Sequence, residues 1–446
     1  MTPTRSAALP VLVACVALAA APGPATAQRA DSSRAIPANL SLLDAIRLGR
    51  ERGVNEALAR LNVDVVNARV RQRRADLLPT IAGSATVSRQ TINFEEFGFP
   101  GITGVSDPIH LVALQLRGSQ TLFDASAIAR LRAGHDTAAA AELDARAAGE
   151  ASGAVAGLAY LRLLSATETV RAREADSAVA ASLLEQARQL VTAGVSAEIE
   201  ATRSEVGYAS VRSQLEIARN TLARARLDLA RALDAPPGTP IEPTDSLVGG
   251  DVAIPTDVDA AVQFARAHRP ELAAEHARTQ AAERSLSAIG LEALPSLGVN
   301  SYYQETGPST SALAGSYLVQ LGLHIPILDG FRRQARSAEQ RARVDAQRLR
   351  ERDVGNAVET DARQAILDLA SARQQMALAA TRVRLAETEL AQARERFRAG
   401  VAGSVETTNA QSSVIGAHDA LIQAHVAYGT ARIAAYRALG VLSEMR

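Results

Sequence analysis

Histidine and cysteine are where enzymatic or metal chemistry would have to begin in this chain, and neither is arranged for it. The seven histidines, His110, His135, His268, His276, His324, His418 and His425, include no HExxH pair or other metal-ligand spacing. His418 and His425 stand seven residues apart, which on a helix makes them surface neighbours rather than a ligand set. There is no G-x-S-x-G elbow, no phosphate-binding glycine loop and no dinucleotide fingerprint. The sequence therefore predicts no catalytic residue, no metal and no cofactor. The single cysteine, Cys15, lies in the apolar run from Ala7 to Ala21. Arg5 ahead of that run, Pro22-Gly23-Pro24 behind it and Ala25-Thr26-Ala27 as an A-x-A site make residues 1–27 an expected export signal. Leu12-Val13-Ala14 before Cys15 is a fair lipobox, so lipidation of that cysteine is the alternative processing. Cleavage after Ala27 would leave no cysteine, hence no disulfide and no thiolate metal ligand.

The remaining residues are suited to positioning one another. Ala, Leu and Arg dominate, Trp is absent, and aromatics make up only 3% of the chain, which suits long, closely packed helices better than a globular core. Acidic and basic residues balance at 48 each and are interspersed, so no nucleic-acid surface is expected. Past residue 27 no apolar stretch approaches the roughly 20 residues of a membrane helix. Any contact with membrane lipid must then be made by strands.

The chain is written twice. Ala193-Gly194-Val195 matches Ala399-Gly400-Val401 at an offset of 206, and Glu200, Leu215, Ala218 and Arg231-Ala232-Leu233 match Glu406, Leu421, Ala424 and Arg437-Ala438-Leu439 at the same offset. Leu122-Phe123-Asp124 pairs with Ile327-Leu328-Asp329, and Leu78-Pro79 with Leu294-Pro295. The expected divisions are 28–235 for the first repeat, 236–256 for a proline-rich linker, 257–441 for the second repeat and 442–446 for a tail. Each repeat reads helix, hairpin of two strands, long helix, tight turn, helix.

The opening helices are expected from about Ser41 to Asp76 and from Asp257 to Glu292, each stopped by Leu-Pro. Period-two alternation then marks strands. Val112, Leu114, Leu116 and Leu122 oppose Gln115, Arg117, Ser119 and Thr121, while Tyr317, Val319, Leu321, Leu323, Ile325 and Ile327 oppose Gln320 and His324. Their weaker partners are Ile81, Ala85 and Val87, and Leu297, Val299 and Tyr303. The loops expected to face outward are 93–109 and 304–315. A soluble hairpin with one wet face would show the same alternation. Placed in a bilayer, however, four strands cannot close a barrel, which takes about eight or more, and open edges are costly in hydrocarbon. A membrane barrel must therefore be shared between chains.

Asp124 to Ala193 and Asp329 to Ala399 are expected as single helices of roughly 105 Å. The return helices carry a seam, Tyr208, Val211, Leu215, Ala218, Leu222, Ala225, Leu229 and Ala232, whose 3-4 steps recur from Val414 to Ala438.

These features, in this order and in duplicate, with Ala438-Leu439-Gly440 near the end, resemble the TolC family of outer-membrane efflux proteins over about residues 41–441. The resemblance implies a mainly α fold with a small β part: a long α-helical coiled-coil barrel continuous with an antiparallel transmembrane β-barrel shared by a homotrimer. It implies an exit duct for an inner-membrane pump, with a periplasmic adaptor docking at the tip turns Ala193-Gly194-Val195 and Ala399-Gly400-Val401. In that family, acidic residues past the second turn ring the periplasmic entrance. Glu406 matches one such position, Asn409 stands where a second carboxylate is usual, and Glu200 is the first-repeat equivalent of Glu406. The competing reading is a periplasmic coiled-coil adaptor or structural protein without a membrane barrel.

Overall fold

The computed structural model describes residues 36–93, 104–245, 254–399, 401 and 404–445. The expected export signal, Cys15 and Gly400 lie outside them. From Asn39 onward the chain belongs to one unit.

A two-residue strand β1 (Asn39–Leu40) leads into α1 (Leu42–Arg52) and α2 (Val54–Ala75). The hairpin β2 (Thr80–Gln90) and β3 (Ile109–Phe123) follows, then the long α3 (Ala125–Thr192) and the return helix α4 (Glu198–Ala232). The connection holds β4 (Glu242–Pro243), which pairs in parallel with β1. The second repeat has α5 (Val258–His268), α6 (Pro270–Leu291), β5 (Ser296–Gly307), β6 (Ala314–His324), α7 (Arg332–Arg398) and α8 (Ser404–Ala438).

The opening helix of each repeat, expected to be continuous, is broken once at equivalent places. In the first repeat the break is Gly53, at φ −56° and ψ 132°. A Cβ there would stand 2.5 Å from the Ser152 Cβ of α3, so only glycine lets the chain jog this close to its neighbour. In the second repeat Arg269, at φ −69° and ψ 116°, is forced out of the helical region by Pro270, which opens α6.

The long helices differ in how they start. Asp124 caps α3 by accepting hydrogen bonds from the backbone N–H of Ser126 and Ala127 at 2.8 and 3.0 Å. Its counterpart Asp329 does not begin a helix. Strand β6 stops at His324, so Ile325 and Ile327 are not strand residues, and α7 starts only after Gly330 and Phe331 turn through positive φ. At 68 and 67 residues, α3 and α7 are each about 100 Å long. Along its length α3 packs on α1, α2 and α4 of its own repeat and on α6 and α8 of the second, while α7 packs on α5, α6 and α8. Each long helix is thus flanked by the two short helices and the return helix of its own repeat, and α6 lies against both long helices. The expected seam is buried or half-buried: Val211, Leu215, Ala218, Ala225 and Leu229 face inward on α4, and Val414, Ala417, Ala424 and Ala438 on α8.

The main core gathers Ile46, Leu161, Val262, Val358, Ile366, Tyr436 and Leu439, where α1, α3, α5, α7 and α8 meet. Residues 442–444, expected as a tail, form a 3-10 turn whose Leu442 packs into this core.

Candidate functional site

The four long strands form one antiparallel sheet in the order β2-β3-β5-β6. Its register aligns the alternation of every strand. Gly83, Leu116, Tyr303 and Tyr317 lie directly opposite one another, as do Ala82, Arg117, Tyr302 and Leu318 on the other face. Counting in twos from the first row, one face carries Ile81, Val87, Leu114, Val299, Val319 and Leu321. The opposite face carries Ser84, Thr86, Gln115, Asn300, Gln304 and Gln320. The ladder slips between Thr121 and Phe123, so Leu122 is the extra residue of a bulge and Phe123 opposes Leu297. The strands also run further outward than expected, through Gly307 and from Ala314.

This sheet is uncovered. Ile81 is 74% exposed, Val319 70% and Leu321 65%. Among the described residues β2 pairs only with β3 and β6 only with β5, leaving both outer edges open. No described helix is long and apolar enough to cross a membrane. An apolar, unpartnered face together with two open edges is the surface a shared membrane barrel requires.

At the far end of the helices, α3 ends at Ala193 and the chain reverses through Gly194 at φ +72°. The N–H groups of Val195 and Ser196 both donate to the carbonyl of Leu190, at 3.0 and 3.2 Å, which closes a left-handed helix-ending turn. In the second turn Ala399 donates to Glu395 and Val401 to Arg396, each at 3.0 Å. The first pattern recurs there, although Gly400 itself lies outside the described residues. Val195 and Val401 stand exposed at the two turns.

The carboxylates next to these turns are paired within the chain. Glu200 accepts from Arg203 at 2.9 Å, as the one-turn spacing suggests. The Glu406 carboxylate lies 3.3 Å from the guanidinium of Arg396, across the second turn. Asn409 is exposed one turn further along α8. Sequence reasoning missed Arg396, although the reversal between α7 and α8 sets positions 396 and 406 opposite each other.

A second cluster was also missed. Arg173 on α3 donates to Asp176 at 2.9 Å and to Asp419 on α8 at 2.7 Å, and both Arg173 and Asp176 are buried. Burial pushes the Asp176 carboxyl above its usual range, against the pull of Arg173. Nearby, Arg203, Tyr208, Gln411 and Ile415 line a groove shared by α4 and α8, so the two return helices meet close to the tip.

A profile of the outer membrane efflux protein family matches residues 56–235 and 261–441. The chain is 27% identical over 404 residues to protein CyaE of Bordetella pertussis, covering 87% of this chain and 81% of that one. Its fold is similar to that of the Campylobacter jejuni CmeC outer membrane channel, with a TM-score of 0.78 at 16% identity, covering 90% of this chain and 86% of that one. The outer membrane protein VceC of Vibrio cholerae gives a TM-score of 0.77, also at 16% identity, over 90% and 96% of the two chains. One matched segment falls within each repeat, and the chain belongs to the outer membrane efflux protein family.

Proposed function

We propose that this outer-membrane protein is the homotrimeric exit duct of a tripartite efflux or type I secretion assembly. Substrate handed over by an inner-membrane pump would pass through the helical tube and leave through the barrel. A periplasmic adaptor would dock on the turns at Gly194 and Gly400, with Val195 and Val401 as apolar contacts. The family is one of ducts, and the proposed role asks no bond-breaking step of any residue.

The observation that carries this reading is the sheet. Three antiparallel steps separate β2 from β6, so the two edge strands run in opposite directions. The β6 edge of one copy can therefore pair with the β2 edge of the next without breaking the alternation, and the ring closes with no free edge. Three copies give twelve strands, and the apolar face then surrounds the barrel while the polar face lines it. In the helical part, α3, α7 and the stacked shorter helices supply a tube wall. Glu406 would approach its symmetry mates at the narrow end, its charge partly offset by Arg396.

Disulfide trapping tests this reading. β2 and β6 are three strands apart in one sheet, roughly 14 Å, too far for a disulfide within a chain. Cysteine pairs scanned along the two edges, such as Thr86→Cys with Ser316→Cys, should give covalent dimers and trimers in outer membranes at one register. Failure at every register, with the protein present in that membrane, would contradict the shared barrel.

A further inference from the structure

The polar face of the sheet departs from its pattern at one level. Along this face the side chains are hydroxyls, amides, glycine and alanine, except at Ile109 and Leu111 near the outer end, His324 at the inner end, and the row holding Arg117, Tyr302 and Leu318. These three are direct neighbours on adjacent strands: Arg117 opposes Tyr302, and Tyr302 opposes Leu318. No Asp or Glu falls on this face among the described sheet residues; Glu305 lies on the apolar face, where its carboxylate accepts from the Tyr303 hydroxyl at 2.9 Å. Arg117 is exposed and has no ion-pair partner among the described residues.

We infer that Arg117, Tyr302 and Leu318 form a selectivity belt inside the barrel for organic anions with an apolar skeleton, such as aromatic or alicyclic carboxylates and sulfonates. This rests on the shared-barrel reading above. Twelve strands about 4.8 Å apart and tilted about 40° give a backbone radius of roughly 12 Å. Arginine side chains reaching inward from that wall would bring three guanidinium groups to roughly 10 Å from one another. That is close to the Debye length of about 8 Å at physiological salt, so their fields overlap on the axis. A ring of fixed cations favours anions, by the rule that makes carboxylate rings favour cations. Guanidinium also matches a carboxylate or sulfonate with two parallel hydrogen bonds. Tyr302 and Leu318 add an apolar surface beside each cation, which a small hydrated anion cannot use and an aromatic sulfonate can.

Purified full-length protein in planar bilayers tests the belt, with naphthalene-2-sulfonate added on the loop side of the barrel and naphthylmethylammonium as the cation of matched shape. In 0.15 M KCl the sulfonate should block wild-type channels at a concentration about five-fold lower than the ammonium, the size of one unit-charge contact at 4 Å in water. In 1 M KCl, where the Debye length is about 3 Å, the difference should fade. Arg117→Gln should remove it, Arg117→Lys should retain most of it, and Leu318→Ser should weaken sulfonate block while leaving block by chloride-sized anions unchanged. Equal block by the two probes in wild-type channels would overturn the belt even if no variant inserts, as would sulfonate preference persisting in Arg117→Gln. Failure of the wild-type protein to form any channel would overturn the duct reading, and the belt with it.

Discussion

Arg173 and Asp419 are 246 residues apart in sequence and joined by a 2.7 Å hydrogen bond that ties α3 of the first repeat to α8 of the second. The same guanidinium also holds Asp176, which is 7% exposed. Breaking a buried pair from one side costs more than the pair contributes, because it strands a charge. Arg173→Met should therefore lower stability by about 3 kcal/mol, through Asp176 rather than the half-exposed Asp419. Thermal unfolding in detergent should show most of the loss restored in Arg173→Met/Asp176→Leu. A double variant no more stable than Arg173→Met would contradict this assignment.

The contact between α6 and α7 should be acid-sensitive. The Thr279 hydroxyl, 2.6 Å from Glu351, is the largest influence holding that carboxyl below its ordinary 4.5; burial opposes it and His276 at 2.9 Å assists. A carboxyl whose pKa falls on folding stabilises the native state above the unfolded value and loses that contribution as pH falls through the folded value. Thr279→Val should cost about 1–2 kcal/mol at pH 7. The difference from wild type, measured as unfolding midpoints at successive pH values, should shrink as pH drops below 4.5. A difference constant down to acid pH would remove Glu351 from the explanation.

The two return helices end in the same backbone conformation with different residues. Asp234 has φ +51° and Gly440, at the same offset of 206, has φ +75°. An added Cβ at Gly440 would stand 2.7 Å from the carbonyl oxygen of His268, where α5 meets α6. Gly440→Ala should cost at least about 2 kcal/mol from backbone conformation and this contact together. Asp234→Gly should stabilise by roughly 0.5 kcal/mol, since glycine adopts positive φ more readily. The unfolding temperature should fall in Gly440→Ala and rise in Asp234→Gly; a shift of the same sign in both would contradict the conformational argument.

How much of this was legible in the sequence depends on the range of the interaction. The duplication, the paired hairpins and the turn at Gly194 follow from local pattern, because strand alternation, helix-ending glycine and Leu-Pro stops are each set by a few neighbouring residues. The break at Pro270 was also written locally, as a proline inside a helical stretch. Gly53 was not, since its reason is the approach of Ser152 from another helix. The late start of α7 depends on Phe331 adopting φ +63°, which bulky residues seldom announce. The Arg173 cluster joins side chains that only the assembled helices bring together, whereas the Glu406–Arg396 pair spans a single reversal of the chain.

If the proposed duct narrows at the tip, the pairing of Glu406 with Arg396 sets the strength of any acidic filter there. Glu406→Gln should weaken block by hexaamminecobalt(III) added from the helical end of channels in bilayers, because fewer negative charges crowd the constriction. Arg396→Gln should strengthen it by freeing the same carboxylate. Glu200→Gln should mainly raise conductance, by loosening the contact with Arg203. Negligible effects from all three would show that no acidic ring forms there.

In the proposed duct one chain supplies a third of a closed barrel. The mass of the particle extracted from outer membranes in mild detergent, corrected for bound detergent, measures this most directly. Three chain masses in one stable particle is the expected result; a folded, monodisperse monomer would contradict it.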